Sequence, residues 1–403
     1  MDFAARHEVL AGLFAQNFTH FGELGSSVSI WYQGQEVVSL AGGFQDRQKT
    51  TPWNAKTLVL IWSATKGLAA GTLLAVLEQE GIEISRPVAD FWPEFAKEGK
   101  SGITLAQLFS HQAGLSGLRD KTISLFDHAA VCSALAAQAP LWPPGQQHGY
   151  HARTFGFLLD ELIRRLTNQS LGTIWRTLFG DPMDLDIWIG LPPELLDLVS
   201  PVFPAKNAGG LPTNYFWKAM ADPQSLTQNA FSTPVGLASV ASMNTPTARL
   251  TALPGMGGIA TANSLAKWYA MLANGGKMEG HRYFSSQTIE QMSHILTQGK
   301  DRVTLEETAF SAGFMLDPMA VSGRKIRSLY GPSPRAFGHP GAGGSHAFAD
   351  PANHVSFAYV MNQMELGIFP NPKSLRLIEA LYEVRSAQIG LSTGTSHNAP
   401  RFG

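Results

Sequence analysis

The stretch LVLIWSATKGLAAGTLLAVLEQE, residues 58–80, decides how the rest of the chain is interpreted. From Leu58 to Leu77 it carries a single charge, that of Lys66, and its length alone would allow a membrane span. An unpaired lysine near the middle of a bilayer is costly, so we exclude that interpretation. The stretch instead predicts a helix from about Ser63 to Glu80 that is buried on nearly all sides in a large soluble domain.

Ser63 and Lys66 form an S-x-x-K pattern at the start of this predicted helix. Residues i and i+3 share one face of a helix, so the Lys66 amine can reach the Ser63 hydroxyl. A serine becomes a good nucleophile when a base takes its proton, and burial lowers the pKa of a lysine towards the range of a useful base. The helix N-terminus also favours negative charge developing at Ser63. The pattern thus predicts a nucleophile at Ser63, with a buried structural serine as the alternative.

The same pattern occurs twice more, at Ser264–Lys267 and at Ser322–Lys325. We interpret the first as the start of a polar, solvent-facing helix, because it follows Thr-Ala-Asn. The second, Ser-Gly-Arg-Lys, is typical of a turn. Of the three serines, only Ser63 stands at the head of an apolar helix.

Composition excludes several functional classes. The 403 residues suffice for one large domain or two, and 30 Lys+Arg against 31 Asp+Glu, without a basic stripe, argue against a nucleic-acid partner. Cys132 is the only cysteine, so an internal disulfide is impossible. The 12 histidines show no metal-ligand spacing, and we expect neither a metal nor a cofactor. The first residues lack a basic segment followed by an apolar one, which favours a cytoplasmic protein without a signal peptide.

Strand patterns occur at both ends of the chain and helical patterns in the middle. We therefore predict an α+β fold, in which N- and C-terminal segments build an antiparallel sheet flanked by helices and a mostly helical domain is inserted. The expected units are residues 1–80 with 275–403, and residues 81–274. The strand candidates are a hairpin over Ser26–Gly42, then Ala309–Leu316, Arg324–Tyr330, Arg335–His339, Gly344–Ala349 and Val355–Asn362.

Tyr150 lies between a Trp-Pro-Pro-Gly loop and a predicted helix. A tyrosine at such a junction can point into a cleft and pass a proton between Ser63 and a leaving group. A nearby ammonium such as Lys66 would lower the pKa of the phenol for this purpose. The alternative is a tyrosine that packs at the start of a helix.

A glycine-rich run, GHPGAGGS over residues 338–345, precedes a predicted strand. Glycines at a sheet edge allow a ligand to approach the backbone closely. An amide of this run could therefore join the Ser63 amide in holding an oxyanion. We expect His339 to face the cleft as a hydrogen-bond donor; the alternative is a strand bend with a surface histidine.

Taken together, these segments resemble the serine β-lactamase and penicillin-binding-protein superfamily, and most closely its class C branch and the family VIII carboxylesterases. The order Ser63-x-x-Lys66, Tyr150 and His339-Pro340-Gly341 matches the family's three motifs. Two further phrases are similar to family motifs, LFSHQAGL over residues 108–115 and MGGIATA over residues 256–262. The likeness extends over about residues 5–385.

The resemblance implies a serine hydrolase that cleaves carboxylic esters with short to medium acyl chains through an acyl-enzyme. It implies Ser63 as the nucleophile, with Lys66 and Tyr150 as the general base and acid. It further implies an oxyanion hole formed by the backbone amides of Ser63 and Ala342, in a cleft between the two domains. The residues expected to contact the substrate, a small-molecule ester, are His339, Gly341, His151 and Arg119.

Two departures from the family pattern bear on the substrate. The family's Tyr-x-Asn is Tyr150-His151-Ala152 here, so the amide that contacts a lactam is missing and His151 could fill its space. The family's Lys-Thr-Gly is His339-Pro340-Gly341, which replaces a cation by a mostly neutral imidazole. Both changes favour an esterase for neutral esters. An acyltransferase, a D-amino-acid peptidase or weak β-lactamase, and a catalytically inactive binding protein are the alternatives.

Overall fold

The computed structural model of the protein describes residues 3–206 and 214–387, and it confirms the α+β class. The strands are β1 (Gly25–Tyr32), β2 (Gln35–Gly43), β3 (Leu58–Leu60), β4 (Ile187–Ile189), β5 (Val199–Ser200), β6 (Gly258–Ala260), β7 (Lys277–Met278), β8 (His281–Arg282), β9 (Thr297–Lys300), β10 (Glu307–Phe310), β11 (Met315–Leu316), β12 (Phe337–Pro340), β13 (His346–Asp350) and β14 (Val355–Met361). The α-helices are α1 (Phe3–His20), α2 (Thr65–Gln79), α3 (Leu105–Phe109), α4 (His128–Ala137), α5 (Phe155–Thr167), α6 (Leu171–Trp175), α7 (Tyr215–Ala221), α8 (Leu226–Ser232), α9 (Pro246–Leu250), α10 (Ala262–Ala273), α11 (Ser286–Ser293) and α12 (Pro372–Ala387).

An eight-stranded antiparallel sheet in the order β2-β1-β14-β13-β12-β11-β10-β9 joins the two ends of the chain. The hairpin β1–β2 pairs with the C-terminal strands through β14, where Ser29 lies opposite Ala358. The predicted sheet of N- and C-terminal segments is thereby confirmed. Within it, β12 carries the glycine-rich run to the sheet's middle, with His339 opposite Ala347 on β13.

Helices cover both faces of this sheet, because successive side chains of a strand point to opposite sides. On β14, Phe357 and Tyr359 belong to an apolar cluster that contains residues of α1 and α12. Ala358 and Val360, the alternate residues of the same strand, belong to the cluster of α2 and α10. All of β14 is consequently buried.

Helix α2 is the centre of the second cluster, and every residue from Thr65 to Leu77 is buried. A Cβ atom added at Gly71 would lie 2.6 Å from Trp268 Cζ2 of α10, so the glycine allows the two helices to approach closely. The predicted helix buried on all sides is confirmed. Its first residues differ in detail, since Trp62–Ala64 form a 3-10 turn and the α-helix begins at Thr65.

Two strand predictions need correction. Ala309–Leu316 forms two strands, β10 and β11, because a tight turn with Gly313 at φ 86° separates them. The strand predicted at Arg324–Tyr330 is wrong, since this segment is a loop. Its Lys325 side chain turns back to pair with Asp317 at 2.8 Å instead of alternating across a sheet.

A second, four-stranded sheet in the order β4-β6-β3-β5 was not predicted. Its strands have two or three residues, too few to show an alternating pattern. The division into residues 1–80 with 275–403 and 81–274 stays a prediction, and parts of it, residues 1–2, 207–213 and 388–403, lie outside the described residues. Helix α10, assigned to the helical unit, lies against β1, β13 and β14.

Within residues 3–206 and 214–387, we find no helix with both the length and the apolar character that crossing a membrane requires. The cytoplasmic location inferred from the first residues of the sequence stays a prediction.

We expect Gly71→Ala to lower the free energy of unfolding by about 1–3 kcal/mol, because the added methyl group overlaps the Trp268 ring. Urea unfolding measures the change. Gly12→Ala in α1 is the matched control: its new methyl group meets no atom within 4 Å, and the variant should be unchanged or up to about 1 kcal/mol more stable. Equal stabilities of the two variants would contradict the close packing of α2 on α10.

Candidate active site

Ser63 lies in a strained turn that links β3 to α2. The preceding residue, Trp62, has a φ of 49°, a left-handed conformation that is uncommon for a large side chain. The Thr65 hydroxyl donates to the Trp62 carbonyl and accepts the Gly258 N–H at 2.9 Å, and the Ile61 N–H donates to the Gly258 carbonyl at 2.9 Å. These bonds to β6 hold the turn, and this role of Thr65 could not be predicted from the sequence.

The Lys66 amine is fully buried and lies 3.1 Å from Ser63 Oγ. Its other two neighbours are the carbonyls of Ala152 and Gly255, at 2.8 and 2.7 Å. Burial holds the pKa of Lys66 well below its usual value. A neutral amine has two N–H groups and one lone pair; with the N–H groups donated to the carbonyls, the lone pair faces the Ser63 hydroxyl. The arrangement is that of a general base.

A close backbone contact places the Gly255 carbonyl, the second of the two, beside Lys66. Gly156, in the first turn of α5, lies so near the loop before β6 that an added Cβ would be 2.1 Å from the Gly255 nitrogen. Neither glycine was identified from the sequence, because the contact joins segments about a hundred residues apart.

Tyr150 is also buried, and its phenol interacts with the Ser63 side chain in the pocket that both residues line. Lys66 Nζ lies 4.9 Å from the centre of the Tyr150 ring. Burial raises the pKa of Tyr150, so the expectation that an ammonium would lower it is wrong. The physical reason is that the same burial favours a neutral Lys66. The phenol therefore keeps its proton and is suited to the role of an acid.

The backbone of Tyr150 is held by a buried carboxylate, Asp301. Both carboxylate oxygens accept the Tyr150 N–H at 3.1 Å, and Oδ1 also accepts the N–H groups of Val303 and Thr304 at 2.7 and 2.8 Å. His148, buried beside Asp301, lies 3.9 Å away and bonds with the Thr308 hydroxyl at 2.8 Å. Sequence reasoning missed Asp301, since 151 positions separate it from Tyr150.

His111, within the LFSHQAGL segment, anchors the same loop from the other side. Its carbonyl accepts the Gly149 N–H at 3.1 Å, and its Nδ1 accepts the His151 N–H at 3.1 Å. The ring packs on Tyr150 with centroids 5.1 Å apart. This segment thus positions the tyrosine loop.

The glycine-rich run passes directly beside the turn that carries Ser63. A Cβ atom at Gly341 would lie 2.2 Å from the Ile61 carbonyl oxygen, so only glycine permits this approach. Among the backbone bonds of the described residues, the N–H groups of Ser63 and Ala342 have no acceptor. Both residues line the same pocket, as a shared oxyanion hole requires.

His339 is buried in this pocket, with its ring 5.8 Å from that of Tyr150. Its Nδ1 lies 2.8 Å from the Pro340 carbonyl, which can only accept, so Nδ1 carries the proton. Burial lowers the pKa of His339 to about 3, so the ring is neutral and Nε2 has a free lone pair. We expected His339 to donate a hydrogen bond into the cleft, and this expectation is wrong. Its one N–H is donated to the Pro340 carbonyl of the same strand, so the other nitrogen, Nε2, can only accept.

The wall of the pocket beyond these residues is mostly apolar. It continues into an outer cleft that shares Thr304, Ile368 and Phe369 with it. Sequence reasoning found none of this wall, which comes from several distant segments. The remaining pocket residues are Phe231, Thr304, Met315, Pro340, Ile368 and Phe369.

Three predicted substrate contacts, Gly341, His151 and Arg119, are not among the residues that line this pocket. Gly341 instead lies against the Ile61 carbonyl, and its role as a substrate contact stays a prediction. The other two are placed elsewhere. The His151 ring is fully buried, accepts the Leu115 N–H at 3.0 Å and donates to the Gly149 carbonyl at 2.7 Å, so both nitrogens have protein partners. Arg119 is exposed, with its guanidinium near the carbonyls of residues 139 and 140. The structure thus corrects both assignments: His151 braces the tyrosine loop, and Arg119 lies on the surface.

The other S-x-x-K matches do not pair their own side chains. Ser264 accepts the Asp186 N–H at 2.9 Å, while Lys267 pairs with Glu279 at 2.9 Å. The helix that contains them, α10, is largely buried, so the prediction of a solvent-facing helix is wrong; its apolar face lies on the large sheet. The turn predicted at Ser322–Lys325 is observed.

In the described part of the chain, one group of three side chains could hold a metal ion: His128, Cys132 and Glu161. None of them lines the Ser63 pocket. Their polar atoms already have protein partners, His128 with Asp160 at 3.0 Å and Glu161 with Arg165 at 2.7 Å. We therefore assign this group no part in the active site.

Comparisons with known proteins identify a family that matches most of the chain. The Beta-lactamase family model matches residues 14–377. Over 362 residues the chain is 31% identical to Esterase/beta-lactamase LipL of Mycobacterium tuberculosis (strain ATCC 25618 / H37Rv), an alignment that covers 84% of this chain and 77% of that protein.

Two solved structures are similar along nearly their whole length. A family VIII carboxylesterase has 37% identity and a TM-score of 0.83, and a penicillin-binding-protein homologue from Caulobacter crescentus has 37% identity and a TM-score of 0.82. Each alignment covers 94% of this chain and 97% of the other. The resemblance inferred from the motifs is thus confirmed.

We expect Asp301→Asn to lower kcat by roughly 10- to 100-fold, because the Tyr150 backbone loses its anchor. The free energy of unfolding should fall by about 1–3 kcal/mol, since an amide cannot satisfy all the N–H groups that face Asp301. Ester hydrolysis and urea unfolding measure the two effects. Glu307→Gln makes the same change at an exposed position of β10 and should alter neither. An unchanged kcat in Asp301→Asn would refute the anchoring role.

The buried amine predicts how stability depends on pH. Because the pKa of Lys66 is depressed in the folded protein, the unfolded chain binds more protons between that pKa and about 10.4, and stability must rise with pH there. The free energy of unfolding of the wild type, relative to Lys66→Met, should therefore increase by up to about 1.4 kcal/mol per pH unit. Urea unfolding between about pH 7 and pH 9 measures this slope.

Ser63→Ala is the control for that measurement, because it keeps the buried amine and should keep the slope. A difference between the wild type and Lys66→Met that stays flat over this pH range would show that Lys66 is not desolvated in solution.

Proposed function

The chain belongs to the Beta-lactamase family, and we propose that within it the protein is a carboxylesterase that cleaves small neutral esters through an acyl-enzyme on Ser63. One observation carries the proposal: the desolvated amine of Lys66, with two carbonyls beside it, lies 3.1 Å from the Ser63 hydroxyl. Ester hydrolysis in general agrees with the family VIII carboxylesterase among the similar structures. The acyl-chain length, short to medium, is part of the proposal.

In the acylation step, Ser63 Oγ attacks the ester carbonyl as its proton moves to Lys66 Nζ. The N–H groups of Ser63 and Ala342 hold the negative oxygen of the tetrahedral intermediate. When the carbon–oxygen bond breaks, Tyr150 gives its proton to the leaving alcohol and receives the proton that Lys66 holds. The alcohol departs, the acyl group stays on Ser63, and the site is neutral again.

Deacylation repeats the steps with water in place of the alcohol. Water attacks the acyl carbonyl, and its proton passes through Tyr150 to Lys66. When the bond to Ser63 breaks, Lys66 returns the proton to Ser63 Oγ and the carboxylic acid leaves. An added alcohol that competes with water would give acyl transfer on the same site, so hydrolase and acyltransferase differ only in the second acceptor.

The charges in the pocket favour neutral substrates. His339 stands where the related motif has a lysine, and it is neutral. No cation is then available at this position to bind the carboxylate of a β-lactam or of a peptide ending in D-alanine. The apolar wall residues, such as Phe231 and Phe369, suit an uncharged hydrocarbon group.

The test is intact-protein mass spectrometry after brief exposure to p-nitrophenyl butyrate. We expect one added butyryl group on the wild type, none on Ser63→Ala, and a kcat for Ser63→Ala that is lower by roughly 10⁴-fold or more. Ser322→Ala changes the exposed serine of another S-x-x-K match and should leave both the adduct and kcat unchanged.

Three outcomes would overturn the proposal. An adduct that persists in Ser63→Ala would remove the nucleophile from this site. Faster cleavage of a β-lactam or of a D-alanyl peptide than of the ester would show that the peptidase or β-lactamase alternative is correct. Absence of any adduct and of any hydrolysis would favour a catalytically inactive binding protein.

A further inference from the structure

The imidazole of His339 lines the pocket of Ser63, and its tautomer is set by the backbone. Nδ1 donates its proton to the Pro340 carbonyl at 2.8 Å. The other nitrogen, Nε2, is buried and has no hydrogen-bond partner among the described residues. A buried acceptor without a donor is unfavourable, so binding is favoured for a group that donates to Nε2.

Among the described residues, no group donates a hydrogen bond to this nitrogen. The phenol of Tyr150, whose ring centre lies 5.8 Å from that of His339, interacts with the Ser63 side chain. The Thr304 hydroxyl, also in the pocket wall, accepts the Glu306 N–H at 3.5 Å and makes no hydrogen bond to Nε2. His339 and Ser63 line the same pocket, so a donor that reaches Nε2 would belong to a molecule bound at the nucleophile.

The other residues of the pocket wall make His339 Nε2 selective for a hydrogen-bond donor of the substrate. Phe231, Met315, Ile368 and Phe369 line the same pocket with apolar surface, so few polar partners compete for a polar group of the substrate. In such pockets a small number of placed polar atoms fixes orientation and specificity. A carboxylate would bring its own lone pairs against Nε2, whereas a hydroxyl or an amide N–H would pair with it.

We propose that His339 Nε2 accepts a hydrogen bond from the substrate, and that the preferred esters carry a neutral donor, a hydroxyl or an amide N–H, close to the ester group. This inference rests on the proposed esterase function and narrows its substrate class. His339 then acts as a specificity-determining residue that contacts the substrate without exchanging protons with it.

The test compares esters that differ by one hydroxyl. On the acyl side, p-nitrophenyl 2- and 3-hydroxybutyrate are compared with p-nitrophenyl butyrate; on the alcohol side, 2-hydroxyethyl butyrate is compared with propyl butyrate. Each kcat/KM is divided by the alkaline hydrolysis rate of the same ester, which removes intrinsic reactivity. We expect the wild type to prefer at least one hydroxy ester by about tenfold or more, since sites built to pair a donor discriminate strongly against its absence.

Variants connect this preference to one nitrogen. His339→Phe should bring the ratio close to one, because the acceptor is gone while an aromatic ring remains. His339→Gln keeps an acceptor oxygen and should restore part of the preference. His346→Phe changes another buried histidine, on the neighbouring strand β13 and not in the pocket wall, and should keep the wild-type ratio. Ratios within one variant are insensitive to a partly unfolded preparation.

The outcomes separate this inference from the proposed function. If the wild type hydrolyses plain and hydroxy esters with equal corrected kcat/KM, the inference is overturned while the esterase proposal stands. The inference also fails if His339→Phe keeps the preference, because another group must then accept the donor. If the wild type hydrolyses no ester in the panel, the proposed function fails, and this inference fails with it.

Discussion

The site depends on one constraint, the removal of the Lys66 amine from water without a carboxylate to neutralise it. In the described structure its partners are two backbone carbonyls and the Ser63 hydroxyl. A carboxylate partner would favour the ammonium and remove the base, whereas carbonyls orient the amine and add no full negative charge. The chemistry therefore requires that α2, the loop before α5 and the loop before β6 meet around one nitrogen atom.

Meeting that requirement shapes the fold around the site. Helix α2 can be buried on all sides only because its neighbours approach its glycines closely, as at Gly71. Gly156 and Gly341 allow two further backbones to reach the site, one beside Gly255 and the other beside the turn that carries Ser63. The left-handed backbone conformation of Trp62 raises the energy of this turn, and the hydrogen bonds to β6 offset that cost. Close backbone packing and local strain thus serve the position of the nucleophile and its base.

The sequence was informative where a local pattern carries the chemistry. Ser63 and Lys66 follow from helix geometry, and Tyr150 and the glycine-rich run follow from order and spacing along the chain. What could not be predicted are contacts between distant segments: Asp301 beneath Tyr150, the carbonyls at Lys66 and the apolar pocket wall. Two expectations were wrong for a similar reason, the lowered pKa of Tyr150 and the donor role of His339. The pKa of Tyr150 depends on burial, and the donor role of His339 depends on its hydrogen bond to the Pro340 carbonyl, and only the folded chain supplies either.

The pKa shifts of three buried groups have a common effect, which explains why the pocket suits neutral esters. Burial lowers the pKa of Lys66 and His339 and raises that of Tyr150, so all three groups are favoured in their neutral forms before the reaction begins. Charge then develops only as Ser63 attacks, when an ammonium forms at Lys66 and an oxyanion forms at the substrate. Interactions that exist only at that stage lower the barrier without tightening the binding of the substrate. A charged substrate would make such interactions already on binding, before Ser63 attacks, and they would then no longer lower the barrier. The neutrality of the pocket before the reaction is therefore part of how the site catalyses.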